Sequence, residues 1–210
     1  MKTHFENNEN IIINRFNINT ILDLIESHIN LCNNSIIPII AMYSIYQELI
    51  KEVKRYSKKV LRPLNVHTSS DKHGFGDVEV WNNDNTPYEM VEIKQNIPID
   101  RNLIFDIAKK SEKTTIKRYY ILTTYKNSFV SKEEEEYINK FILKIYKDSR
   151  LEIIANGIIP SLKYYLRFIE DYKGFLLAYT ENLITDAKNS TEIKDFYITK
   201  WKELLEKHKI

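Results

Sequence analysis

The sequence is short of most features that would announce a specialised class. It has one cysteine, Cys32, so no disulfide can form within the chain and no multi-cysteine metal site is available. That suits a reducing compartment and sets the expectation of a cytoplasmic protein. The longest apolar run, IIPIIAMY from Ile36, falls far short of the roughly 18 to 20 residues a membrane span needs. The opening MKTHFENNEN has no apolar signal core, so no membrane is expected as a partner. Net charge is only +2, from 31 basic and 29 acidic residues, so any nucleic-acid contact must come from local clusters. Glycine is scarce as well. There are four in 210 residues, yet two of them, Gly74 and Gly76, stand just before Asp77.

What is present is an ordinary globular balance, 43% hydrophobic and 29% charged, in a length that suits one moderate domain with or without an appendage. A helical period runs from Ile12 to Leu31, with Ile21, Leu22, Leu24, Ile25 and Ile29 on one side. Pro38 suits the first turn of a second helix carrying Met42, Ile45, Tyr46 and Leu49. Past Pro63 the period falls to two. LNVHT and DVEVW read as strands, NNDNTP as a chain reversal, and YEMVEIKQ as a third strand. Asp100 caps a further helix with Leu103, Ile104 and Ile107; YYILTTY from Tyr119 is the strongest strand signal. Ser131 caps a helix whose opening acids suit its positive end, LEIIA from Leu151 reads as a strand, and helical patterns follow Pro160 with a break at KNST. The order predicts an α/β fold with helices packed on the sheet. The expected division is an N-terminal helical segment (1–35), a core (36–157) and a helical C-terminal part (158–210).

The chemistry concentrates in GFGDVEVWNNDNTPYEMVEIKQ, residues 74–95. On strands, Tyr88, Met90, Glu92 and Lys94 would share one face, and Asp77, Glu79 and Trp81 a face of the preceding strand. Pairing through the reversal would bring Asp77 to Glu92 and Lys94. Two carboxylates that close repel each other, and a hard divalent cation such as magnesium is their natural partner. A lysine beside them would orient an attacking water, or lose its proton and act as base. The glycines would allow a bend and the close approach of a bulky substrate. The plainer reading is a salt-bridged, solvent-facing strand. Glu-x-Lys also occurs at Glu52-Val53-Lys54 and Glu192-Ile193-Lys194, but in helical patterns, where residues two apart diverge.

Gly76-Asp77, fourteen intervening residues, then Glu92-Ile93-Lys94 resembles the PD-(D/E)XK nuclease signature, with Gly76 in place of the family's leading proline. VEIKQNIPIDRNLIFDIAKK followed by TTIKRYYILTT is similar to a group of type II restriction endonucleases, over about residues 40 to 125. The resemblance implies a restriction-endonuclease-like α/β core of αβββαβ order, with a mixed central sheet flanked by helices. It further implies Asp77 and Glu92 as magnesium ligands, Lys94 as the residue that assists the water, and double-stranded DNA as substrate. A homodimer reading palindromic sites and a cognate DNA methyltransferase would be its partners. The alternatives are a structure-specific repair or phage-defence nuclease and a non-catalytic DNA-binding module of the same fold.

Secondary candidates each have a plainer alternative. Glu48 could add a helix carboxylate to the metal, as in some relatives, or be a solvated helix acid. Glu79 could be an outer-shell ligand or a surface strand acid, and Gln95 could contact phosphate although it points to the other face. His67 and His73 read as polar loop residues, since no histidine at helical spacing supports zinc. The basic stretch 51–62, with Arg55, Lys58, Lys59 and Arg62, and the group Lys109, Lys110, Lys113, Lys117 and Arg118 would serve a polyanionic substrate, though such runs are commonly solvated helix ends.

Overall fold

In the computed structural model, residues 16–64, 74–189 and 194–208 are described. They form α1 (Ile18–Cys32), α2 (Ile36–Glu52), β1 (Lys59–Leu61), β2 (Val78–Asn82), β3 (Pro87–Lys94), α3 (Arg101–Ser111), β4 (Arg118–Thr123), α4 (Lys132–Ser149), β5 (Glu152–Gly157), α5 (Ile158–Leu166), α6 (Tyr172–Asn189) and α7 (Asp195–Lys207). The chain is α/β, as expected. None of the described helices is long and apolar enough to cross a membrane. Two compact units emerge from the contacts, one of Met1–Glu52 with Leu162–Ile210 and one of Val53–Ser161. This grouping differs from the expected split after residues 35 and 157. The helix read as the start of the core, α2, packs with α1 and α6, so it belongs with the ends of the chain.

The helical unit is built around large apolar side chains with a polar centre. Ile21, Leu24 and Ile25 of α1, Ile40 and Ile45 of α2, Phe175, Leu176 and Tyr179 of α6 and Trp201 of α7 are fully buried. Each such side chain contributes about 1.5–3 kcal/mol relative to exposure. His28 sits among them with no exposed surface. Its Nε2 lies 2.8 Å from the Tyr197 carbonyl, which can only accept, so Nε2 carries the proton. Nδ1 therefore accepts from the Tyr179 hydroxyl at 2.6 Å. Burial holds the imidazole neutral, with its pKa down at about 4, against the opposing pull of the Tyr197 carbonyl.

The second unit holds a five-stranded mixed sheet in the order β1-β2-β3-β4-β5. β1, β2 and β3 are antiparallel, as the turn-forming residues between β2 and β3 predict. β4 and β5 then run parallel to β3, each reached through a crossover helix. Asp100 caps α3 through Leu103 N–H at 2.9 Å, and Ser131 caps α4 through Glu134 N–H at 3.2 Å. Ile104 and Ile107 of α3 and Ile138 of α4 bury Met90, Tyr119, Ile121 and Ile153 on one face of the sheet.

Two sequence expectations change here. The first strand is Lys59–Leu61, inside the basic run, whereas the strand expected at LNVHT lies, past Leu64, outside the described residues. A three-residue edge strand is too short to show a period. The second change is at Tyr88, which alternation placed with Met90 and Glu92. A bulge opposite Val80 and Trp81 breaks the alternation there. The Tyr88 ring lies 4.5 Å from Lys59 Nζ, and its hydroxyl accepts from Arg55 at 3.4 Å.

Candidate active site

The register of β2 on β3 sets Val78 opposite Val91 and Glu79 opposite Met90, which carries Asp77, one residue before β2, to the level of Glu92. Asp77 N–H donates to the Val91 carbonyl at 2.8 Å, and Asp77 Oδ2 accepts from Ile93 N–H at 2.6 Å. The carboxylate is thus tied to the backbone of β3 beside Glu92. Glu92 Oε1 accepts from Lys94 Nζ at 2.7 Å, with the lysine 30% and the glutamate 19% exposed. Glu92 Oε2 is 3.4 Å from the hydroxyl of Tyr119, the residue that β4 sets opposite Met90. The expected convergence of Asp77, Glu92 and Lys94 is present in this geometry.

The charges at the site are mutually dependent. Burial first, and the Glu92 charge second, push the Asp77 carboxyl well above the ordinary carboxylate range. Ile93 N–H, Lys94 and Lys110 pull the other way without cancelling them. Burial would lower the proton affinity of Lys94, but its contacts with Glu92 and Asp77 outweigh that and raise it. Lys94 is therefore held as an ammonium, which makes it a donor of charge and hydrogen bonds in preference to a base.

A carboxyl such as Asp77, whose charge is penalised by burial and by a neighbouring carboxylate, gains from a bound cation. Among the described residues, no group of three or more His, Cys, Asp or Glu forms a metal cage. The donor set here is the pair of carboxylates. All-oxygen donors of this number suit magnesium, which is commonly held by one or two carboxylates and keeps much of its water. The residues present fit that ion.

The bend before Asp77 is pinned from three sides. Glu79 Oε1 accepts from Phe75 N–H at 2.5 Å and from Gly76 N–H at 3.3 Å. The Tyr119 hydroxyl donates to the Phe75 carbonyl, and the ring's burial keeps it a phenol. The third hold is the Asp77–Val91 backbone bond. Gly76 is required by a close approach within the protein itself. A Cβ there would stand 2.7 Å from the Val91 carbonyl oxygen, a backbone atom that cannot swing aside. A proline at 76 would carry the same Cβ and lack the N–H that Glu79 accepts. At Gly74 a Cβ would meet only Glu79 Oε1 at 3.5 Å, an ordinary contact.

The other sequence candidates fall in several places. Glu79 is committed to the bend through Oε1 and to the Trp81 indole N–H, 2.8 Å away, through Oε2. Glu48 lies on α2 in the helical unit and is not the solvated acid of the plainer reading. It is 2% exposed and holds Lys51 at 2.8 Å. Gln95 Oε1 accepts from the Thr124 hydroxyl at 3.0 Å. His67 and His73 lie outside the described residues.

Of the basic stretch, Lys51 pairs with Glu48, and Arg55 pairs with Glu89. Among the described residues no carboxylate pairs with Lys58, Lys59, Arg62, Lys109 or Lys113. Arg62 lies 4.6 Å over the Trp81 ring and donates to Asn85 Oδ1 at 3.0 Å. The competing Glu-x-Lys matches go elsewhere. Glu52 closes α2 and accepts from Glu170 N–H at 2.6 Å, while Glu192 and Ile193 lie outside the described residues and Lys194 stands just before α7 in extended backbone, not helix.

Three features escaped the sequence. Tyr119 reaches the site only through the parallel register of β4, which no local pattern encodes. Lys110 belongs to the basic group legible in the sequence, but the reach of its charge to Asp77 is set by α3, on which it follows the buried Ile107 by three residues. The third is a fully buried Glu89, bound by the Tyr56 hydroxyl at 2.7 Å and by Arg55, with Arg118 at 3.9 Å. This network takes two arginines of the basic groups into structural work.

No protein-family model matches the sequence, and no curated protein matches it at a significant level.

Proposed function

We propose that this protein is a magnesium-dependent endonuclease of the PD-(D/E)XK type, hydrolysing phosphodiester bonds of double-stranded DNA as a type II restriction enzyme does. The observation that carries this reading is the union of Asp77 and Glu92 from adjacent strand segments with an ammonium, Lys94, 2.7 Å from Glu92. The antiparallel β1-β2-β3 meander with β4 parallel beside β3 supports the family's core order. Among the described residues, neither Lys54 nor Lys194 pairs with a carboxylate.

Asp77 and Glu92 would hold the magnesium ion. Bound there, it would supply Lewis-acid charge for hydrolysis at a phosphodiester. Lys94, fixed by Glu92, offers N–H donors at the same edge and would orient the attacking water and offset charge growing on the phosphoryl oxygens. Tyr119 and the Val91 backbone keep the Asp77 bend in register with β3. Lys58, Lys59 and Arg62 would draw the polyanion to the unit, and a two-fold dimer would suit a palindromic site.

The test is incubation of purified protein with mixed-sequence plasmid and Mg²⁺, followed by sequencing of fragment ends. Lys94→Ala should lose cleavage by orders of magnitude, and Lys54→Ala should cut like wild type. Cleavage of branched or single-stranded DNA alone would move the protein to a structure-specific nuclease. Binding of duplex without cutting under any divalent metal would leave a non-catalytic DNA-binding module.

A further inference from the structure

We infer that Glu79 is a positioning residue of the proposed metal site, the brace that fixes where Asp77 stands, and not itself a ligand; this rests on the nuclease reading above. Its carboxylate joins two things that must stay in register. Oε1 gathers the N–H groups of Phe75 and Gly76, the two residues preceding Asp77. Oε2 takes the Trp81 indole N–H at 2.8 Å. The indole in turn lies 4.6 Å from the Arg62 guanidinium and 6.0 Å, centroid to centroid, from the Phe75 ring. Glu79 therefore cannot swivel without releasing both the bend and a packed aromatic. Ligation would draw its oxygens away from three donors, whereas bracing uses them as they stand. The side chain acts on Asp77 through the backbone of the bend, as groups behind a metal ligand commonly do.

The donor pattern allows a test with a sign. In Glu79→Gln the amide oxygen can still accept from Phe75 and Gly76, but its NH₂ then meets the indole N–H, donor against donor. Trp81→Phe removes that indole donor. Mn²⁺ binding, read from the loss of the free-ion EPR signal and displaced by Mg²⁺, needs no DNA and no turnover. Glu79→Gln should weaken Mn²⁺ binding on the order of 10-fold, and Glu79→Gln/Trp81→Phe should regain most of the loss, with thermal melts showing all variants folded. Glu79→Gln binding as tightly as wild type would overturn the inference. So would a double variant as weak as the single, because the glutamate's charge would then be acting as a ligand. Should Glu79→Gln not fold, Trp81→Phe alone decides. Loosening the brace weakens Mn²⁺ binding modestly, whereas freeing a ligand oxygen would leave it unchanged or tighten it. A wild-type protein that binds no Mn²⁺ displaceable by Mg²⁺ would instead bring down the metal reading itself, and the inference with it.

Discussion

The two glycines before Asp77 make a paired prediction, because only one of them is required by space. Gly76→Ala places a Cβ 2.7 Å from the Val91 carbonyl oxygen and 3.3 Å from Val91 C and N. To go from 2.7 Å to the 3.4 Å at which such contacts become ordinary, something must move by roughly 0.7 Å. Strand β3 cannot readily give, since it is hydrogen-bonded to β2 on one side and β4 on the other. The bend moves instead, which stretches the Asp77–Val91 hydrogen bond now at 2.8 Å. Overpacking of this kind costs about 1–3 kcal/mol, and the entropy that alanine removes from the unfolded chain returns about 0.4–1 kcal/mol. A net loss of about 1–2 kcal/mol should lower the melting temperature by roughly 2–8 °C in a chain of this size. Gly74→Ala meets only Glu79 Oε1 at 3.5 Å, an ordinary contact that asks nothing to move, and should melt within a degree or so of wild type or slightly above it. Differential scanning calorimetry of the two variants against wild type is the assay. An unshifted Gly76→Ala, or a Gly74→Ala that loses more, would refute the close-approach account.

Three further outcomes follow from the same geometry. Asp77→Asn and Glu92→Gln should each abolish plasmid cleavage while folded. Without metal Asp77→Asn should also melt a few degrees higher, because burial and Glu92 penalise the charge it removes. The helical unit should lose stability on mild acidification through His28. Above pH 6.5 the imidazole is neutral in both states; below it the unfolded chain takes up a proton that the folded chain refuses until about pH 4. Across that window the loss should reach about 3 kcal/mol, read by urea unfolding with Trp201 as reporter in a Trp81→Phe background. His28→Asn, less stable throughout, should show a flatter profile there. Finally, replacing Lys58, Lys59 and Arg62 together with Ala should flatten the salt dependence of duplex binding by up to about three phosphate equivalents; an unchanged slope would place the DNA surface elsewhere.

The site was legible in part because its residues lie close together in sequence. Alternation put Glu92 and Lys94 on one face, and the turn formers between Asn82 and Pro87 implied the antiparallel pairing that brings Asp77 alongside. The roles of the neighbours were not legible. Alternation leaves Glu79 open as an outer-shell ligand or a surface strand acid, and carries no sign that its oxygens face the Phe75, Gly76 and Trp81 N–H groups or that the Val91 carbonyl stands against Gly76. A donor's identity depends on which backbone N–H faces the carboxylate, and a one-dimensional period does not carry that information.

The sequence by itself determined the elements whose cause is local. These are the capped helices at Asp100 and Ser131, the strands of β-branched and aromatic residues, and the reversal that makes β2 and β3 neighbours. Only the tertiary structure decided which elements share a unit, since α2 finds its partners, α1 and α6, from both sides of the sheet segment in sequence. It also decided that Tyr119 reaches the Asp77 bend and that Glu89 is buried among arginines that looked like a surface patch. The physical reason is the same in each case. Local preference is set by a residue and its neighbours along the chain, while burial and electrostatics are set by what the fold brings from far away.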